Sequence, residues 1–365
     1  MKKPRLAAIE YIRGISMLGV IGIHVGSQYL TTPNPSVELT ALFEIVTRFC
    51  VPIFFFISAF GLFYNLEENF SYGRFLIRRG RTVMIPYIAW SLFYLKLDTY
   101  FYPVMFPDNE SILEFLFFGV AKYQLYFLVL LIWFYLLMPL WIFIVKRLDS
   151  NRLILILILQ IAFDYWSSYI LPKTEFVAWI DSSYPIDSFI RRAIDWRVSY
   201  WFVHYIFIWI FGGYLAIRFE NFMEFMKSNK ISIWIFFIAT LIGMLAHYYF
   251  LIWNWEYRPE WAINIAHQLS PIGILYTIAA SIFCFERFTF GSLPNILRRL
   301  LEIFGKHSYF AYLFHPTAIM FLLERISVGE NPIEFYFATL IISILTAMIF
   351  RKIPFINFIL IGSRK

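Results

Sequence analysis

Apolar residues run along this chain in long blocks separated by short basic patches. Blocks long enough to cross roughly 30 Å of hydrocarbon as helices fall near residues 12–30, 41–65, 83–102, 123–145, 153–171, 199–217, 231–253, 267–285, 308–326 and 334–350. The pattern predicts an all-α polytopic integral membrane protein with about ten transmembrane helices, multi-pass in the cell membrane. Lysine and arginine mark the ends of the blocks. If the N-terminus is cytoplasmic, inner segments hold 21 of these residues, from Lys2 and Lys3 through Arg74, Arg78, Arg79 and Arg81 to Arg364 and Lys365. Outer segments hold 6: Lys122, Lys173, Arg191, Arg192, Arg197 and Arg258. That bias predicts both termini in the cytoplasm.

The start, MKKPRLAAIEYIRG, resembles the charged region of a signal peptide. The apolar block that follows carries Arg13 and His24 and ends in no small-residue cleavage site, so it is expected to remain as the first span. No Gly/Ser linker, charge run or repeat divides the rest, which predicts one membrane domain over residues 1–365.

Composition narrows the class. With 60% hydrophobic, 22% aromatic and only 15% charged residues, the chain has too little polar surface for a soluble enzyme, a coiled coil or a disordered regulator. Two cysteines, Cys50 and Cys284, are too few for a disulfide scaffold and read as small buried hydrophobes. The net charge of +7 comes from residues at span ends and not from a groove-lining pattern, so no nucleic-acid partner is expected. His204, His247, His267 and His307 are scattered, with no metal-ligand spacing, and no metal site is expected.

Ionisable residues inside a bilayer are costly and persist mainly where they pair or line a polar cavity. Arg13 and His24 are eleven residues apart in the first span, which puts them on one helix face about 16 Å apart in height. Glu10, three residues before Arg13, is placed to pair with it. An imidazole at that depth is suited to accept a proton from a hydroxyl, and a guanidinium nearer the cytosol to bind phosphate or stabilise an oxyanion. The same residues also fit a snorkelling anchor and a satisfied bundle histidine. Arg78 and Arg81 form an R-x-x-R at the cytoplasmic start of the third span. Their forked guanidinium groups suit the phosphates of a substrate or the headgroups of anionic lipid. Ser308, Tyr312 and His315 share one face of the ninth span, as site groups or as polar glue between helices. Arg48 marks the outer end of the second span, either against an anionic acceptor or as an interfacial anchor. Lys96, Asp98 and Asp164 are candidates for interior pairs, and the charged segment 172–198 for a solvated connection or a contact with a polar acceptor.

IEYIRGISMLGVIGIH, with ten residues between Arg13 and His24, resembles the opening of the acyltransferase family 3 integral membrane proteins. VPIFFFISAFGLF, RRGRTVMIPY, QLYFLVLLIWFYLLMP and GKHSYFAYLFHP follow in the family's order, with Ala59 where glycine is more usual and Tyr126 where tryptophan often stands. The middle, about 150–300, matches only in span pattern and in its aromatic stretch. The resemblance implies transfer of an acyl group, most simply acetyl, from cytosolic acyl-coenzyme A as donor substrate to a hydroxyl of a cell-surface polysaccharide or glycolipid. It implies catalytic roles for His24 and Arg13, donor binding by Arg78 and Arg81, and support from Glu10, Arg48, Ser308, Tyr312 and His315. A polysaccharide exporter or flippase, with the intramembrane Arg and His lining a path, is the alternative.

Overall fold

A computed structural model describes residues 3–30, 37–102, 109–325 and 331–362. Lys2, Arg364 and Lys365, which contribute to the charge bias, lie outside the described residues. Among the described residues all regular structure is helical. In chain order the α-helices are α1 (Ala7–Leu30), α2 (Val37–Thr47), α3 (Cys50–Tyr64), α4 (Tyr72–Arg79), α5 (Ile85–Phe101), α6 (Asn109–Phe118), α7 (Tyr126–Leu136), α8 (Met138–Arg147), α9 (Ser150–Tyr165) and α10 (Glu175–Ser183). They continue with α11 (Phe189–Asp195), α12 (Arg197–Tyr200), α13 (Ile206–Ile217), α14 (Phe219–Ser228), α15 (Lys230–Trp255), α16 (Pro259–Ile265), α17 (Pro271–Phe290), α18 (Asn295–Leu323), α19 (Pro332–Phe350) and α20 (Pro354–Ile361).

Among the described residues each of the ten apolar blocks carries helix, but they are not ten equal rods. Six helical segments among the described residues are long and apolar enough to cross a membrane, or up to eight if two bent pairs each form one span. The bends are 68° between α7 and α8 and 94° between the segment Phe202–Ile217 and α14. The other two blocks belong to α5, which is 17 residues long, and to α18, a 29-residue helix whose first half carries Arg298, Arg299, Glu302 and Lys306. Apolar side chains such as Ile154, Leu155, Ile158 and Leu159 on α9 point outward, as expected where the solvent is hydrocarbon.

The chain divides into two compact units. Unit 1 comprises residues 1–66, 148–161 and 207–348. At its centre α1 packs along α18, with α2, α3 and α17 also against α1. Met17, Ile21, Val25 and Tyr29 of α1 meet Ala311 and Ile319 of α18 and Phe335, Leu340 and Ile344 of α19. The α1–α18 contact is close because glycine permits it. A Cβ on Gly305 would lie 2.1 Å from the Glu10 carbonyl oxygen, and one on Gly14 2.7 Å from that of Leu301. Cys50 and Cys284, both in this unit, are buried free thiols.

Unit 2 comprises residues 67–147, 162–206 and 349–365. Here α4 runs through a π-helical turn at Gly80–Met84 into α5. Asp98 pairs with Lys122 at 2.7 Å, while Lys96 is exposed. The segment 172–198 is not a plain solvated connection. It folds into short helices tied by ion pairs from Arg191 to Asp181 (3.3 Å) and Asp195 (3.6 Å), and from Arg192 to Glu114 (2.6 Å).

Candidate functional site

In unit 1, α1 and α18 run in the same direction. Tyr11 donates to Glu302 (3.1 Å) near one end, and the ring of His24 stacks on that of His315 further along, with centroids 5.2 Å apart and planes 22° apart. Gly14 to His24 and Gly305 to His315 are both ten-residue steps, about 15 Å at 1.5 Å per residue. The glycine crossing and the histidine stack therefore share one register. His315 is fully buried and His24 only partly so.

The residue after His315 explains how its ring is held. Pro316 lies inside α18 and has no N–H to give the carbonyl of Tyr312, four residues back. His315 Nδ1 donates to that carbonyl instead, at 2.7 Å. A carbonyl can only accept, so the proton sits on Nδ1, and the neutral ring presents Nε2 as an acceptor. The stretch FHP contained this information, but the spacing of Ser308, Tyr312 and His315 drew attention to a shared face. The three are not equivalent. Tyr312 lies beside His315, ring centroids 6.2 Å apart, whereas Ser308 Oγ donates to the Gly305 carbonyl of its own helix at 2.8 Å.

Glu10 reaches Arg13 at 3.3 Å and also accepts from Arg5 at 2.8 Å. Its carboxylate is thus shared between two cations at the end of α1 opposite His24. Arg13 keeps about two-fifths of its side-chain surface exposed (39%), so its guanidinium remains accessible to an anion. Arg48 differs from the surface position the sequence suggested. It sits in the break between α2 and α3, pairs with Glu44 at 3.4 Å and donates to the Ile263 carbonyl at 2.8 Å. Only 13% of its side chain is exposed. It fastens α16 to the α2–α3 corner; a carboxylate and a backbone oxygen already engage it.

In unit 2, Arg74, Ile77, Arg78, Arg81, Thr82, Phe358 and Gly362 line a cavity of about 370 Å³. Arg74, Arg78 and Arg81 fall at i, i+4 and i+7 and so share one helix face. Thr82 Oγ1 donates to the Arg78 carbonyl at 3.0 Å. The neighbouring Arg79 points elsewhere, its guanidinium 5.4 Å from the Phe75 ring centre and 5.0 Å from that of Tyr135. The basic cluster is therefore three arginines facing a cavity and one packed on aromatic rings. Phe358 and Gly362, contributed by α20 and its end, carry no charge signal and were not anticipated. At Gly362, φ is +69°, and a Cβ would lie 2.4 Å from the Thr82 Cα, so glycine is required there on both counts.

The model of the acyltransferase domain family, acyltransferase family 3, matches residues 6–352. Two Staphylococcus aureus proteins, from strains Mu50 and MRSA252, are similar over 99% of this chain and 97% of their own length, at 24% and 23% identity. Both are named probable poly-beta-1,6-N-acetyl-D-glucosamine export protein. No solved structure matches. With its membrane-spanning helices and the family match over nearly its full length, the chain belongs to acyltransferase family 3, as a multi-pass membrane protein.

Proposed function

We propose that this protein O-acylates a cell-surface polysaccharide or glycolipid, taking the acyl group, acetyl in the simplest case, from acyl-coenzyme A. The observation that carries this reading is the stack of His24 on His315, with Arg13 on the same helix face. His315, locked by the Tyr312 carbonyl, supplies a rigid floor for the His24 ring. His24 accepts the proton of the acceptor hydroxyl as its oxygen attacks the acyl carbon. Arg13, about 16 Å along the helix from His24 and paired with Glu10, is placed for an anionic part of the donor rather than for the reacting carbonyl. The carbon–sulfur bond breaks, the new ester leaves on the acceptor, and the coenzyme thiolate takes up the proton. In unit 2, Arg74, Arg78 and Arg81 suit the donor's phosphates, each guanidinium offering paired N–H groups. Ser308, Tyr312, Glu10 and Arg48 support this arrangement by holding helices and partners rather than by touching reactants.

The test is whether the purified protein binds acetyl-coenzyme A, slowly hydrolyses it, and transfers labelled acetyl to cell-surface fractions. All three are expected. A second reading, polysaccharide export without acyl transfer, is favoured by the names of the Staphylococcus aureus relatives. Movement of polysaccharide across vesicles with no binding or turnover of acetyl-coenzyme A would select it.

A further inference from the structure

Unit 2 contains a buried line of carboxylate, imidazole and hydroxyl. His204 Nδ1 lies 2.6 Å from Asp164 Oδ1, and His204 Nε2 lies 3.3 Å from Ser167 Oγ. All three side chains are buried. The sequence shows two of these groups as unrelated: an acid in one span and one of several scattered histidines 40 residues later. Folding places Asp164 at the end of α9, Ser167 in a π-helical turn (Trp166–Ile170), and His204 in a 3₁₀ turn (Phe202–Tyr205) just before α13. A π-helical turn within a helix recurs at functional sites.

A purely structural pin would need only to satisfy hydrogen bonds. Ser91 and Ser281 do so in the ordinary way, donating to the carbonyl one turn back in their own helices. Ser167 instead faces an imidazole whose other nitrogen meets a carboxylate. That order is the one that activates a serine hydroxyl, with the carboxylate fixing the tautomer and orientation of the base, and it is recognised by geometry rather than by sequence order. A separation of 3.3 Å between base and nucleophile is normal before substrate is bound. Arg197, itself buried, donates through Nε to the Ser167 carbonyl at 3.0 Å, which holds the serine's backbone in place and brings a cation beside it. The cover is thin. The Phe163 ring, partly exposed, lies 5.1 Å from that of His204, and Trp166 beyond it is exposed.

We propose that Ser167 is an acyl-accepting nucleophile, with His204 as its base and Asp164 as the group that positions the base. The identity of the acyl donor rests on the acyltransferase reading above; the reactivity of Ser167 does not. Ser167 Oγ attacks the thioester carbonyl and its proton passes to His204 Nε2. The carbon–sulfur bond breaks, and the thiolate leaves with that proton as free thiol. In this route the serine ester replaces the thioester as the group that the acceptor hydroxyl attacks: the bond from the acyl carbon to Ser167 Oγ breaks, the new ester leaves on the acceptor, and the proton given up by the hydroxyl passes to Ser167 Oγ. The acyl group is carried on, and nothing is oxidised or reduced.

The experiment treats the full chain, purified in detergent, with phenylmethylsulfonyl fluoride and maps the modified residue by peptide mass spectrometry. Sulfonylation at Ser167 is expected, slowed about 100-fold or more by His204→Gln, slowed also by Asp164→Asn, and accelerated by Phe163→Ala. Size-exclusion profiles identify folded variants, and Asp164→Asn serves if His204→Gln does not fold. A parallel arm quenches the protein after exposure to labelled acetyl-coenzyme A and looks for an acetyl ester at Ser167. Sulfonylation without acetylation leaves the nucleophile standing and removes the proposed donor. An unmodified Ser167 in both the native protein and Phe163→Ala, or equal rates in the folded base variants, overturns the inference. So does undiminished acyl transfer by Ser167→Ala.

Discussion

The two histidine sites are held by opposite means. His24 and His315 meet in unit 1 because two helices approach through glycine, and a proline-freed carbonyl locks one ring. His204 in unit 2 is held by a carboxylate and faces a hydroxyl, on turns that depart from α-helical geometry. The first arrangement gives a base placed by helix packing, sensitive to anything that separates the helices. The second gives a base placed by charge, sensitive to the loss of a single oxygen. A histidine in a membrane protein is thus read from what fixes its ring and not only from its depth.

The largest expected effect falls on the packing-held site. His24→Ala should reduce acyl transfer by about a thousandfold or more, as loss of a positioned general base and its contacts does, while donor binding is retained in an equilibrium binding assay. Transfer at near-native rate would remove His24 from the chemistry. Next is Gly305→Leu, whose Cβ would lie against the Glu10 carbonyl. Overpacking of this kind costs about 1–3 kcal/mol, and thermal unfolding in detergent should show it together with loss of transfer. An unshifted midpoint would mean that the α1–α18 contact can relax. Arg78→Gln combined with Arg81→Gln should raise the acetyl-coenzyme A concentration for half-maximal rate about tenfold or more, since hydrogen bonds to charged groups contribute about 1.5–3 kcal/mol each. The smallest effect belongs to Arg79→Gln, which should lower stability by about 0.5–1 kcal/mol through its lost contacts with Phe75 and Tyr135. The donor requirement should stay unchanged. If Arg79→Gln instead matched the Arg78/Arg81 variant in the kinetic assay, the cluster would be acting as undivided charge.

Hydropathy made the helices legible because hydrocarbon demands length and apolarity, and every apolar block carries helix among the described residues. Hydropathy did not announce the bends, although residues mark both: Pro139 has no N–H for the Tyr135 carbonyl at the 68° bend, and Arg218 stands at the 94° one. Helical periodicity correctly set Arg13 and His24 on one face and Glu10 beside Arg13. It singled out Arg78 and Arg81 as an R-x-x-R, to which the cavity adds Arg74, while the packing of Arg79 on the rings of Phe75 and Tyr135 leaves no mark in a basic run. Arg48 shows the converse. A cation at a span end looked outward in sequence, but Glu44 one turn earlier and the distant Ile263 carbonyl draw it in. Asp164 and His204 lie too far apart in the chain for spacing to relate them, and only the fold does so.

The matched ten-residue steps on α1 and α18 make the pair behave like two combs that mesh only when their teeth are counted alike. One residue inserted between Gly305 and His315 would swing the imidazole by about 100° and lift it about 1.5 Å, although no side chain had been exchanged. A matching insertion between Gly14 and His24 would not restore the stack, because equal turns in the same sense about two parallel axes carry the two rings to opposite sides of the contact, so this part of the chain should tolerate almost no change of count.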